Sequence, residues 1–167
     1  MKRILIAIII LGITAVGVKA DEGGGSTSAF QAALTPTIAL HSKDTRINGF
    51  SIAVWGENPQ SAFALGFVNG STGESKGLAW GLYNYTEKYT GVQLGIVNTS
   101  SELFVGLQDG VVNWAKEVHG VQLGVFNYTD NLQGVQLGFA NIVTTNPWFK
   151  EFPNKLAYGF PFVNWSF

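Results

Sequence analysis

Within the phrase GLQDGVVN, residues 106–113, Asp109 places a carboxylate where neighbouring copies of the phrase carry leucine. Held in an apolar seam, such a group would have a raised pKa and could exchange protons or bind a ligand. Burying an unpaired carboxylate costs several kcal/mol, about as much as a small domain can spare. The favoured reading is therefore that Asp109 reaches solvent or a polar neighbour such as a glutamine, or that its repeat unit is locally shifted.

The other groups capable of chemistry do not converge. His41 lies in the polar connection HSKDTR, and His119 occupies the variable position before a repeat glycine, where Lys76, Thr90 and Gln133 also occur. Neither histidine has a second one at ligand spacing, so no metal site is expected. No G-x-S-x-G elbow is present to activate a serine. GGGSTS reads as a spacer and NGSTGES as a turn, and neither leads into the helix that a phosphate-binding loop requires. Catalytic residues, cofactor-binding residues, metal ligands and cofactors are all expected to be none, and the chain is read as non-enzymatic.

Any element that positions these residues must be built without covalent staples, because the chain has no cysteine. That also excludes a thiolate zinc site and a lipid anchor on cysteine. Residues 1–20, MKRILIAIIILGITAVGVKA, have the basic start, short apolar run and small-residue end of a secretory signal, with cleavage expected after Ala20. The run is interrupted by Gly12, Thr14 and Gly17 and is short for a bilayer span of roughly 20 residues. Residues 21–29 read as a flexible Gly/Ser spacer and 30–167 as one β-repeat domain. Taking Lys2, Arg3 and Lys19 from the ten basic residues leaves seven against eleven acidic ones, with no basic run, so no nucleic acid partner is expected.

The domain repeats itself. GLAWGLYN (77–84), GVQLGIVN (91–98), GLQDGVVN (106–113), GVQLGVFN (120–127) and GVQLGFAN (134–141) follow AFALGFVN (62–69) at spacings of 14 or 15 residues. GFSIAVWG (49–56) is a looser first copy and AYGFPFVN (157–164) a divergent last one. Each unit is too short for a helix pair and has strand chemistry followed by a turn cluster. Within GVQLGVFN, alternation puts Val121, Leu123 and Val125 on one face and Gly120, Gln122, Gly124 and Phe126 on the other. The apolar stripe is expected to be the surface that neighbouring units hide in a shared core.

Two all-β architectures share a core in this way. In a parallel β-solenoid, the favoured fold class, identical positions stack, and Asn69, Asn84, Asn98, Asn113, Asn127, Asn141 and Asn164 are the structural repeat asparagines, with glutamines forming a second column. The five Asn-x-Ser/Thr triplets, at Asn69, Asn84, Asn98, Asn127 and Asn164, then follow from periodicity. The alternative is an eight-stranded up-and-down outer-membrane β-barrel, with Tyr85, Trp114 and Tyr128 near the interfaces and FPFVNWSF as a terminal insertion strand. Against it, the turns do not alternate long and short, and three apolar residues per strand cover less than a roughly 25 Å apolar band.

The motif G-[VL]-Q-[LI]-G-x-x-N, with the lead-in FQAALTPTIAL and the closing FPFVNWSF, resembles the bacterial surface-repeat proteins of the LA_2272 type over roughly residues 30–167. The resemblance implies exposure at the bacterial envelope and brings no catalytic residues. Trp80 and Asp109 in place of leucine, and Ala79 in place of glutamine, depart from the pattern.

Segment 144–155, TTNPWFKEFPNK, interrupts the period and is expected to cap an end of the core rather than to bind through Trp148, Phe149 and Phe152. The functional expectation is an exported cell-envelope or surface β-repeat protein with a structural or surface-interaction role; the alternative is a small barrel serving as an anchor. No specific partner is legible. Outer-membrane association and self-association through the repeat ends are the options left open.

Overall fold

The structure, a computed structural model, describes residues 26–167; the expected signal peptide and most of the spacer lie outside the described residues. Eight strands form one sheet: β1 (Thr27–Thr35), β2 (Ile38–Ala39), β3 (Arg46–Glu57), β4 (Ser61–Trp80), β5 (Tyr83–Leu94), β6 (Val97–Asp109), β7 (Val112–Val143) and β8 (Gly159–Ser166), in the order β2-β1-β3-β4-β5-β6-β7-β8. From β1 to β7 every neighbouring pair is parallel. That is a parallel β-solenoid of about five turns. Among the described residues the strands do not form the antiparallel meander of an up-and-down barrel, and the barrel alternative is not favoured. Thr27 already stands in β1, so ordered structure begins inside the segment read as spacer.

Register follows the repeat. Asn84 pairs with Asn69 below and Asn98 above, and Gln93 pairs with Gln108. Strands β4 and β7, at 20 and 32 residues, exceed one repeat and therefore continue round the corner into the next turn. Two glycines make each turn possible. Gly120 has φ +144°, and a Cβ there would land on the Gly106 carbonyl oxygen. Gly124 has no room for a Cβ beside the amides of Asn113 and Asn127.

The stripe of Val121, Leu123 and Val125 is not the core. Gln93, Gln108, Gln122 and Gln136 are fully buried, as are Asn84, Asn98 and Asn113, whereas Val125 is 41% exposed. The interior is a polar column pair lined by Ser71, Thr86, Ser100 and Thr129, with an apolar seam of Tyr89, Phe104, Val118 and Leu132 at its far side. Alternation also breaks at the Gly124 corner: Phe126 points outward with 52% exposure and does not share the face of Gln122. Amides can fill this narrow interior because in-register parallel stacking gives each of them a copy of itself one strand spacing, roughly 4.8 Å, away. Their desolvation is offset by hydrogen bonds that a lone unit could not make.

Both ends of the parallel stack are covered by antiparallel pairing. Strand β2 lies along β1, and Leu40 N–H donates to the Ala32 carbonyl at 2.9 Å. At the other end β8 runs against the last turn of β7. This reversal displaces Asn164 from the asparagine column: it faces Gln136 and bonds Ala157 through its side-chain amide. The reading of Asn164 as a seventh copy of the repeat asparagine is thereby corrected, since an antiparallel strand cannot continue an in-register ladder. Segment 144–158 folds over β8, where Leu156 and Ala157 are buried.

Candidate functional site

Each turn presents its variable positions outward. Gln, Asn, a small hydroxyl residue and one apolar side chain point inward; the residues flanking Gln, and the two after the second Gly, point out. Stacking turns these positions into columns. The position after Gln reads Ala32, Ile52, Leu65, Trp80, Leu94, Asp109, Leu123 and Leu137 from the N-terminal end. The corner position after the second Gly holds Val54, Phe67, Leu82, Ile96, Val111, Val125 and Phe139, all exposed. Phe67 (59%), Ile96 (51%) and Phe139 (68%) show how little of these side chains is covered.

The result is a two-sided molecule. Among the described residues one sheet face and its corner are apolar from Ile52 to Leu137, interrupted by a single charge, Asp109. That residue is exposed, lies between Leu94 and Leu123, and its carboxylate accepts no hydrogen bond from another described residue. Trp80, 56% exposed, likewise has an indole N–H with no acceptor among the described residues. Toward the N-terminal end, Ile52, Leu65, Phe67, Trp80 and Leu82 line a groove of about 350 Å³ over the bare backbone of Gly66 and Gly81.

Charge gathers at the opposite edge. Lys88 stands 3.9 Å from Glu74 and 3.5 Å from Glu102, and His119 stands 2.9 Å from Glu117. A polar hollow of about 250 Å³ opens there beside Glu74, Lys88 and Thr90. His41 is remote from His119 in this arrangement, bonded through Nε2 to the Ser28 hydroxyl at 3.0 Å. Among the described residues no three His, Asp or Glu side chains are grouped to hold a metal ion.

Two further features belong to the flank beyond the corner. Trp55 donates its indole N–H to the Tyr85 hydroxyl, which donates to Glu57. Burial, and after it the Glu57 hydrogen bond, push the Tyr85 pKa up to about 12. Trp114 stacks on Tyr128 with ring centres 6.4 Å apart.

The structure unites Asn69, Asn84, Asn98, Asn113, Asn127 and Asn141 in one buried column. It leaves Asn164 in the cap and Asp109 outside. Composition alone did not reveal the outward apolar face. A signal for it was nevertheless present: the column after Gln tolerates Leu, Trp and Asp, which an interior position of fixed volume would not, while the asparagine column admits no such range. Comparison with protein-family models, curated proteins and solved structures finds no match to this chain.

Proposed function

We propose that the chain is an exported, non-enzymatic β-repeat protein of a bacterial cell envelope, akin to the surface-repeat proteins its motif resembles, and that it works through contact rather than turnover. The supporting observation is the outward apolar face from Ile52 to Leu137, broken at Asp109, with Trp and Phe side chains standing out of it. Monomeric soluble proteins rarely expose contiguous apolar patches beyond a few hundred Å², and larger ones mark interaction sites. The sequence of residues 1–20 supplies the export part of the reading.

The test is fractionation with N-terminal sequencing of the native protein, followed by labelling of intact cells with a membrane-impermeant lysine reagent. The reading requires an extracytoplasmic chain beginning at Asp21 that is labelled from outside. An intact Met1 terminus on a cytoplasmic protein would sink it.

A further inference from the structure

We infer that the outward apolar face is closed by a second copy of this chain, packed face to face about a two-fold axis that runs along the strands and passes beside Leu94. The inference rests on the proposal that this face is the working surface, and it names the occupant.

Such an axis reverses the stack, so each column meets itself with the turns in opposite order. Leu94 is the fourth of the seven residues from Ile52 to Leu137, and the two departures from leucine beside it, Trp80 and Asp109, stand one turn to either side. About Leu94, and in no other register, each Asp109 carboxylate comes opposite the partner's Trp80. The indole N–H and the carboxylate, both without hydrogen-bond partners among the described residues, then satisfy each other in two symmetric charge-assisted hydrogen bonds. A register shifted by one turn would instead strand the carboxylates against leucine, and one shifted by two could set them against each other.

Shape agrees with this register. Phe63 comes opposite Val121, Phe67 opposite Val125, and Leu82 opposite Val111, so large side chains meet smaller ones and the summed bulk stays even. Phe139, the most exposed of the corner column, arrives at the N-terminal end of the partner, where the 350 Å³ groove lies. Seven stacked strand segments, from that of Ile52 to that of Leu137, at ~4.8 Å by five residues at ~3.3 Å give a face of roughly 500 Å² in plan. Two such faces remove on the order of 1,000 Å² from water, enough for a specific interface. Sheets pack in this aligned manner about 10 Å apart.

The absence of cysteine makes the test direct. In the native purified protein, Leu94→Cys should be joined to its partner by a bismaleimide spanning ~10 Å. Leu137→Cys should not, because its two copies would lie on the order of 30 Å apart, yet it should cross-link when mixed with Ile52→Cys. Sedimentation should show a dimer, weakened about 10- to 100-fold by Trp80→Phe, which leaves Asp109 without its donor. Adding Asp109→Leu should restore it. These positions are on the surface, so circular dichroism should confirm an unchanged fold. Self-linking of Leu137→Cys as ready as that of Leu94→Cys, or indifference to Trp80→Phe, overturns the inference. A monomer that binds neutral phosphatidylcholine vesicles overturns the dimer while leaving the interaction face standing; a monomer that binds neither sinks both.

Discussion

Asn98 donates through Nδ2 to the side-chain oxygen of Asn113 at 2.9 Å and to the Asp109 carbonyl, also at 2.9 Å. The same pair of bonds recurs from turn to turn, always directed toward the C-terminal end. The glutamine ladder runs the other way: Gln108 donates to Gln93, Gln122 to Gln108 and Gln136 to Gln122, each at 2.8 Å. Opposed amide rows let their dipoles offset one another inside a narrow, poorly solvated interior.

Replacing Asn113 by alanine removes an acceptor for Asn98 and the donors to Asn127 and the Leu123 carbonyl. Urea unfolding should show a loss of about 2–4 kcal/mol, because buried amides are left unpaired. A loss within experimental error would mean the ladder contributes nothing.

Gly120→Ala adds one methyl where φ is +144° and the Gly106 carbonyl already occupies the space. Loss of at least about 2 kcal/mol, or failure to fold, is expected from the strained φ and the forced separation of two turns. Thermal unfolding of the purified variant measures it.

Tyr89 lies stacked on Phe104, with ring centres 6.2 Å apart, and its buried hydroxyl has no hydrogen-bond partner among the described residues. Tyr89→Phe removes an unsatisfied polar atom and keeps the ring. It should leave stability unchanged or raise it by up to about 1 kcal/mol in denaturant titration; a clear loss would show that the hydroxyl has a partner.

Phe104 and Phe126 separate inside from outside with one residue type. Phe104 is fully buried and Phe126 is 52% exposed beyond the corner. Phe104→Ala should cost about 3–5 kcal/mol, whereas Phe126→Ser should stay within about 1 kcal/mol. Reversed magnitudes in chemical denaturation would contradict the inward and outward assignment.

Alkaline titration tests the tyrosines. Burial and the Glu57 hydrogen bond hold the Tyr85 pKa near 12 in the folded chain, and burial alone raises that of Tyr89. A raised folded pKa means that the unfolded chain releases its protons first, so the contribution to stability is whole below about pH 10 and lost as pH rises toward 12. Stability followed by circular dichroism should fall across that window, and less steeply in Tyr85→Phe.

Parallel stacking was legible because Asn84, Asn98, Asn113 and Asn127 repeat without exception while their outward neighbours vary. The identity of the core was not. Alternation says that Val121 and Leu123 share a face opposite Gln122, but transfer free energies favour burying the aliphatic face. Asn164 was misplaced for a related reason: its motif matches the repeat, and a motif carries no strand direction. Asp109 looked anomalous only while its column was taken to be interior.

The sequence by itself determined the period, the strand character and the set of positions that stack, because side-chain alternation and repeat spacing are properties of a single chain. Which face turned inward was decided only by the tertiary structure. A glutamine or asparagine amide is costly to bury alone and inexpensive to bury beside its own copy 2.8 or 2.9 Å away. That difference exists only once neighbouring turns are in register.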